Sequence, residues 1–183
     1  VLHALATDNQ AIDERLDRLG VRGRRIAVFC PLTHWPTKNW PLSEFVDLVK
    51  KLPEDFFVIF TGTASEQALI SEALTRLAPT RAASFAGCLS LPEYFALVSI
   101  AQLVVTGDSL PMHVASAYNR PLVALFGPTD ESRVAPRSEG SVVVRADTDC
   151  HRCYRRSYCP RSCIGRITVA QVGQAIDEVL GAH

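Results

Sequence analysis

The chain lacks an excess of charge of either sign, because its 19 lysine and arginine residues are matched by 19 aspartate and glutamate residues. A balanced chain carries no long-range field that would recruit nucleic acid or an anionic membrane. We therefore expect no specific nucleic-acid partner, and any argument from charge must be local.

The chain also lacks an apolar run near the ~18 residues that a membrane-spanning helix needs. Its first ten residues, VLHALATDNQ, lack the order of basic, apolar and small residues that marks a signal peptide. These two absences predict a cytosolic protein.

The chain has no initial methionine, and its first 20 residues have helical spacing where an α/β domain usually opens with a strand. We therefore expect a piece of a longer protein. Residues 1–23 would be a helix and linker leading in from a missing amino-terminal domain. Residues 24–183 would form one domain, with a cysteine-rich loop at 150–163, because this length supports one large core and no second domain of comparable size.

Glycine-rich dinucleotide fingerprints and Walker loops are absent as well. Instead, apolar runs and helical segments alternate about six times along the chain. The predicted strands are 25–30, 56–60, 82–86, 103–105, 122–126 and 142–145. This alternation predicts an α/β fold, a Rossmann-like, doubly wound and mostly parallel sheet with helices on both faces.

Polar turns follow two of these strands. Asp108 and Ser109 come after strand 103–105, and Thr129 and Asp130 come after strand 122–126. The carboxyl ends of parallel strands share one edge of the sheet, where such folds bind ligands. An acid and a hydroxyl at the end of a buried strand also need partners. The two turns therefore predict a binding site.

A helix predicted to begin near Met112 would direct its free amides to the same edge. His113, in its first turn, could donate to a phosphate oxygen. A lone histidine in a first helical turn more often makes a structural hydrogen bond, so both interpretations stay open.

The loop after the first strand contains Thr33, His34 and Lys38 and leads into a helix at Pro41. A cation beside free helix amides suits a phosphate. The segment alone favours a solvated loop with Lys38 facing water. Trp35 and Trp40 would either pack on the domain or stack on a ligand ring, and packing is the more common role.

Glu66 follows the second strand and its Thr61-Gly62-Thr63 turn. It stands three residues after Thr63, which is the spacing of a helix capping box. A functional Glu66 would instead accept hydrogen bonds from the hydroxyl or amino groups of a ligand. The sequence does not choose between the two.

Three segments together resemble the carboxyl-terminal half of family 9 glycosyltransferases, the lipopolysaccharide heptosyltransferase family. They are THWPTKNWPLSEFVDLVKKL, TGTASEQALISEAL and TGDSLPMHVASAYNRPLVALFGPTD. The resemblance implies a GT-B enzyme, in which two Rossmann-like domains face a cleft. It implies that this chain binds the nucleotide-sugar donor, often ADP-heptose, whereas the other domain holds the acceptor and the catalytic aspartate.

The resemblance therefore implies no catalytic residue in this chain, which would be inactive alone. Transfer would invert the anomeric carbon and need no metal or other cofactor. The acceptor, a glycan or a lipid-linked glycan of lipopolysaccharide or a related polymer, would reach the site through the missing domain. The protein would be cytoplasmic, and peripheral association with the inner membrane fits this role.

The resemblance also assigns roles to residues. Lys38 would pair with the donor phosphate, Glu66 would lie near the nucleoside, and the segment from Asp108 to His113 would surround the diphosphate or the sugar. The predicted donor-binding residues are Thr33, His34, Lys38, Glu66, Asp108, Ser109, Met112, His113, Thr129 and Asp130. The family commonly has Asp-Thr-Gly where this chain has Asp-Ser-Leu, so Leu110 removes the backbone freedom of a glycine.

Four cysteines crowd into one loop, at Cys150, Cys153, Cys159 and Cys163. Four thiolates suffice for tetrahedral zinc or an iron–sulfur cluster. Disulfides or free thiols are the alternatives, although a reducing cytosol disfavours disulfides. The segment from 152 to 166 also carries two tyrosines and five arginines.

Two rival functions remain open at this point. The first is a non-catalytic binding module, in which the cysteine loop binds zinc and its arginines bind nucleic acid or acidic lipopolysaccharide. The second is a domain of a nucleotide-sugar epimerase with the same two-domain architecture.

Overall fold

The computed structural model describes residues 6–150 and 152–181, which form a parallel sheet with helices on both faces. The strands are β1 (Arg25–Cys30), β2 (Phe56–Phe60), β3 (Ala82–Ser84), β4 (Leu103–Gly107), β5 (Leu122–Phe126) and β6 (Ser141–Arg145). The helices are α1 (Ala6–Arg18), α2 (Leu42–Lys51), α3 (Gln67–Leu74), α4 (Leu91–Ile100), α5 (Leu110–Ala117), α6 (Glu131–Val134) and α7 (Val169–Gly181). Short 3-10 turns lie at Pro36–Lys38, Ala64–Glu66 and Ile164–Arg166.

The strand order is β3-β2-β1-β4-β5-β6, and each neighbouring pair is parallel. The chain builds the sheet outward from β1 to β3 and then returns to place β4 on the other side of β1. Helices consequently cover both faces. The predicted α/β class, a Rossmann-like, doubly wound parallel sheet, is confirmed.

The central strands are buried on both faces, which is why their sequences are continuous apolar runs. Successive side chains point to opposite faces of the sheet. Val28 accordingly joins the apolar cluster formed with α1, α4 and α5, whereas Phe29 joins the cluster formed with α2, α3 and α7. The sheet is therefore a rigid base for the loops at its carboxyl edge.

Trp40 is part of this core. Its ring is 1% exposed and packs edge-on against Phe45, with 4.9 Å between the ring centroids. Its Nε1 donates a hydrogen bond to the backbone oxygen of Ile167, 2.8 Å away. This bond fastens the loop after β1 to the segment that leads into α7.

Some predicted boundaries differ from the observed ones. β4 runs past the predicted 103–105, because Thr106 and Gly107 pair with Ala124 and Leu125 of β5. β3 ends at Ser84 rather than at 86. The sequence pattern does not predict α6, since a single turn is too short to show helical periodicity.

The predicted amino-terminal helix is observed as α1, and residues 1–5 lie outside the described ranges. Ile12 and Leu16 of α1 are buried in the cluster shared with α4. The boundary predicted near residue 23 is not tested by this packing and stays a prediction. In the described ranges, no helix combines the length and the apolar character that crossing a membrane requires.

Candidate functional site

The strand order reverses between β1 and β4, so the loops that follow these two strands leave the sheet in opposite directions. Such a divergence opens a crevice at the carboxyl edge of an open α/β sheet. The loop after β1, residues 31–41, and the turn after β4 border this crevice. Both belong to the segments in which the sequence predicts binding residues.

Lys38 and Asp108 meet across the crevice. Lys38 Nζ lies 2.7 Å from Asp108 Oδ2 and 3.1 Å from the Asp108 backbone oxygen. The two side chains are only 14% and 9% exposed. The structure therefore brings together two predicted residues that are 70 positions apart and removes their charges from most of the surrounding water.

The backbone of the loop after β1 is held by its own polar groups. Asn39 Oδ1 accepts hydrogen bonds from the Thr33 backbone N–H, at 2.8 Å, and from the Thr33 hydroxyl, at 2.9 Å. The Lys38 N–H donates to the Trp35 backbone oxygen at 2.9 Å. These bonds close a tight turn that directs Lys38 toward β4. The predictions omit Asn39, although an asparagine in a polar loop is a usual turn former.

Two glycines allow this loop to lie directly on the ends of the strands. A Cβ atom on Gly107 would lie 3.0 Å from the Lys38 backbone oxygen, and one on Gly127 would lie 3.0 Å from the Thr37 backbone oxygen. Ordinary contacts are longer than this, so any larger residue would push the loop outward. The position of Lys38 thus depends on the absence of side chains at the ends of β4 and β5.

A cleft of about 500 Å³ opens beside the ion pair, between the ends of β1 and β2 and the starts of α4 and α5. Its apolar wall consists of Leu32, Phe85, Leu89, Leu91, Leu110 and Pro111. Four of the predicted residues also line it, namely Thr33, His34, Glu66 and Ser109. The ion pair adjoins this cleft through Ser109, the neighbour of Asp108.

Glu66 both caps a helical turn and faces the cleft. Its Oε2 accepts a hydrogen bond of 2.7 Å from the Thr63 backbone N–H, as the capping-box prediction requires. The same residue lines the cleft and is half-buried. The cap fixes the carboxylate in place and leaves its other oxygen available to a ligand.

The sequence prediction missed a buried polar group at the base of the cleft. Cys30 Sγ lies 3.1 Å from Thr61 Oγ1 and 3.5 Å from the Tyr94 hydroxyl. Burial raises the pKa of the Cys30 thiol, and burial also raises the pKa of Tyr94 well above its usual range. All three groups are therefore uncharged near neutral pH and provide polar contacts inside an otherwise apolar wall.

The remaining predicted residues lie away from the cleft. Met112 is fully buried in the core beneath α5, and His113 is exposed on the outer side of that helix. Neither residue lines the cleft. The start of α5 also offers fewer donors than expected, because Pro111 has no N–H and the Met112 N–H donates to the Ser109 backbone oxygen at 3.1 Å.

Thr129 and Asp130 lie at the end of β5 and are also outside the cleft. Thr129 is buried, and among the described residues its hydroxyl has no hydrogen-bond partner. Asp130 accepts from the backbone and the hydroxyl of Ser132 and forms an ion pair with Arg152 at 2.7 Å. The Ser132 hydrogen bond and the Arg152 charge lower the pKa of Asp130.

The four clustered cysteines are free thiols. Cys153, Cys159 and Cys163 border one small cavity, and burial raises the pKa of the Cys163 thiol. However, within residues 6–150 and 152–181, no three histidine, cysteine, aspartate or glutamate side chains are arranged to hold a metal ion. The geometry gives no support to the zinc or iron–sulfur site, which stays a prediction.

The fold is a Rossmann-like domain with a cleft at the topological switch point. The sequence profile of glycosyltransferase family 9 (heptosyltransferase) matches residues 3–162. The chain belongs to this family, and the predicted resemblance is confirmed.

Curated relatives agree with this assignment. The chain is 36% identical over 129 residues to lipopolysaccharide heptosyltransferase 2 of Escherichia coli K12, a match that covers 68% of the chain and 37% of the relative. It is 34% identical over 128 residues to lipooligosaccharide heptosyltransferase 2 of Haemophilus influenzae, covering 67% and 37% of the two chains. The matched segment thus spans less than two fifths of the length of these relatives.

Solved structures show the same fold. The E. coli ADP-heptose lipopolysaccharide heptosyltransferase II superimposes with a TM-score of 0.80 at 26% identity, over 99% of this chain and 53% of that one. A family 9 glycosyltransferase from Veillonella parvula superimposes with a TM-score of 0.84 over 100% and 54%, and at 18% identity this likeness shows the fold alone. The chain corresponds to about half of each of these structures.

Proposed function

We propose that this chain is the donor-binding domain of an inverting heptosyltransferase and that it binds ADP-heptose or a closely related nucleotide sugar. The observation that carries the proposal is the Lys38–Asp108 pair, which is poised at the switch point beside the cleft. Family membership and the E. coli relative named for ADP-heptose support the donor class.

Lys38 would supply the positive charge for the donor diphosphate. A partly desolvated ammonium group interacts with phosphate more strongly than an exposed one does. Since the start of α5 has lost two amide donors, Lys38 carries more of this task than a helix-terminus site would require. Asp108 would hold Lys38 over the end of β4 until the donor diphosphate replaces Asp108 as the anionic partner of the lysine.

The nucleoside would occupy the cleft. The apolar wall, which includes Leu32 and Leu91, suits the faces of a base, whereas the fixed carboxylate of Glu66 suits the ribose hydroxyls. Leu110, which the resemblance places where the family commonly has a glycine, lines this cleft and is 53% exposed. We therefore expect the donor sugar to be the feature in which this protein differs most from its relatives.

In the proposed reaction, an acceptor hydroxyl displaces the nucleoside diphosphate from the anomeric carbon. Lys38 would stabilise the negative charge that develops on the departing diphosphate, which is the main electrostatic contribution such a site can make. The group that takes the acceptor proton would come from the domain that this chain does not include, so the chain alone is expected to bind donor without transferring sugar. Under the same proposal, the enzyme would transfer sugar to lipopolysaccharide or a related glycan at the cytoplasmic face of the inner membrane.

Calorimetry with ADP and UDP tests the donor assignment. We expect ADP to bind more tightly than UDP. Lys38→Ala should lower the affinity for ADP at least about tenfold, since a charge-assisted contact to phosphate is lost. Lys50→Ala is the matched control, because Lys50 is an exposed lysine of α2 paired with Asp47. If neither nucleotide binds to the folded wild-type chain, the donor proposal is wrong.

The two rival functions find less support. A zinc-containing module would need a ligand set that the described residues do not form. An epimerase would share the fold, but the family profile and the curated relatives are those of heptosyltransferases. Zinc and iron analysis of freshly purified protein tests the remaining metal prediction, and absence of both metals would refute it.

A further inference from the structure

A second charged surface lies beside the donor cleft, on the arginine loop (residues 152–166). The loop is fastened to the sheet edge at three points. Arg152 pairs with Asp130 at 2.7 Å and with Glu131 at 2.9 Å, and the Tyr154 N–H donates to the Pro128 backbone oxygen at 3.0 Å. In addition, the Thr37 hydroxyl donates to the backbone of the loop. The loop therefore has a defined position next to the residues that carry Lys38.

Among the described residues, the other four arginines of this loop form no side-chain ion pair with the sheet edge. They are Arg155, Arg156, Arg161 and Arg166, and all four are exposed. Within the described ranges, none of their guanidinium groups forms an ion pair or donates a side-chain hydrogen bond. Because the whole chain has no net charge, this is a local concentration of unneutralised positive charge.

Two of these arginines converge on one cavity. Arg161 and Arg166 border a polar cavity of about 250 Å³, together with Thr148, Asp149 and the thiols of Cys150 and Cys163. Asp149 contributes one negative charge against two positive ones. A space of this size bordered by two arginines has room for a single carboxylate or phosphate, and a guanidinium group can bind such an anion through two parallel hydrogen bonds.

The same loop offers aromatic surface and lies close to the donor site. Tyr158 is 72% exposed and Tyr154 is 44% exposed, and each combines an apolar ring with a polar tip. Arg156 contacts the ring of Trp35, with 4.7 Å from its Cζ to the ring centroid, and Lys38 Nζ lies 4.4 Å from that centroid. A molecule on the loop would consequently lie near the donor diphosphate.

We infer that the arginine loop is a binding site for an acidic glycan, with the carboxylate or phosphate of one sugar between Arg161 and Arg166 and with sugar rings against the tyrosines. The identification of this glycan as the acceptor of sugar transfer rests on the proposed function, whereas the binding itself does not. The donor-binding domain would then recognise acceptor as well as donor.

A glycan fits these features better than a nucleic acid does. Nucleic-acid binding depends on many phosphate contacts along an extended basic surface. Here two arginines border one cavity of about 250 Å³, rather than a row of basic residues along an extended groove. The charge thus favours a ligand with isolated acidic groups separated by neutral sugar surface.

The test compares trigalacturonic acid with neutral galactotriose, using calorimetry and NMR shifts of the chain. We expect only the acidic trisaccharide to bind. The double variant Arg161→Gln/Arg166→Gln should weaken it at least about tenfold, since two charge-assisted contacts are lost, and should leave ADP affinity and thermal stability unchanged. Arg18→Gln is the matched control, because Arg18 is an exposed arginine on α1, on the opposite face of the sheet.

The outcomes separate this inference from the donor proposal. Lys38→Ala should weaken ADP binding at least about tenfold and leave the affinity for the acidic trisaccharide unchanged. If the wild-type chain binds neither trisaccharide, or binds both equally, the inference is wrong even when ADP binds well. If a uridine oligonucleotide binds more tightly than trigalacturonic acid and its affinity falls steeply with salt, the loop is a nucleic-acid surface and the inference is also wrong.

Discussion

Two ion pairs of equal length at the same sheet edge behave differently. Lys38 and Asp108 join the ends of β1 and β4, whereas Arg152 and Asp130 join the arginine loop to the end of β5, and both pairs are 2.7 Å long. The first pair is 14% and 9% exposed, and the second is 44% and 18% exposed. Distance alone therefore says little about what an ion pair does.

The difference lies in the water around each pair. An exposed pair is screened by solvent and salt and contributes little to stability, so its main effect is to orient the loop. A desolvated pair depends on its partner, because removing one charge leaves the other buried and uncompensated. Such a pair is therefore more than a surface contact that orients a loop. Its lysine is well suited to exchange one anionic partner for another.

The largest expected effect comes from breaking the desolvated pair. Lys38→Ala should reduce the free energy of unfolding by about 2–3 kcal/mol, somewhat less than the ~3–5 kcal/mol of a fully buried pair, because some water reaches both side chains. Urea denaturation measures this. The double variant Lys38→Ala/Asp108→Asn should recover most of the stability without recovering ADP binding. Failure of the second substitution to restore stability would show that the pair is not the cause.

A smaller effect is expected from displacing the loop that carries the lysine. Gly107→Ala places a methyl group 3.0 Å from the Lys38 backbone oxygen and should cost about 1–2 kcal/mol through overpacking. Calorimetry should also show weaker ADP binding. Gly173→Ala is the control, since its added Cβ in α7 would meet no described atom within 4 Å apart from its chain neighbours and the backbone of its own helix, and it should stabilise the chain by up to about 1 kcal/mol.

The smallest effect is expected from the exposed pair. Arg152→Gln should lower thermal stability only slightly, and raising the salt concentration should remove the difference from wild type. Limited proteolysis should nevertheless cleave the arginine loop faster, because the variant loses the ion pairs to Asp130 and Glu131. A stability loss as large as that of Lys38→Ala would contradict the comparison.

The pH dependence sharpens the same contrast. The pKa of Asp130 is lowered in the folded state by its Ser132 hydrogen bonds and by Arg152. The stabilisation from this carboxylate is therefore present above the unfolded pKa, near 3.9, and is lost as the pH falls through the lower folded value. The difference in free energy of unfolding between wild type and Asp130→Asn should therefore shrink as the pH falls from the unfolded pKa to the folded pKa. It should stay constant from pH 6 to pH 8.

The sheet could be predicted because its strands are buried on both faces, which makes them continuous apolar runs. The capping box of Thr63 and Glu66 could be predicted because it pairs residues only three positions apart. The sequence predicts that Lys38 and Asp108 lie at the same edge of the sheet. Their direct contact depends on β1 and β4 being neighbours, which no local pattern encodes.

The missed features have related causes. The contact of Cys30 with Tyr94 joins a strand end to the second turn of α4, 64 positions away. Met112 belongs to the resembling motif, but its position in α5 places it in the core. A motif shows which residues occur together, whereas the helical period decides which of them reach the cleft.

The two glycines under the loop after β1 have a consequence for how this site can change over generations. Gly107 and Gly127 end different strands, yet each accommodates the backbone of adjacent loop residues, Lys38 and Thr37. A larger residue at either glycine would be accepted only together with a reshaped loop, and a reshaped loop would move the lysine. The two strand ends and the loop should therefore vary as one inherited unit, even though about 70 to 90 positions separate them in the chain.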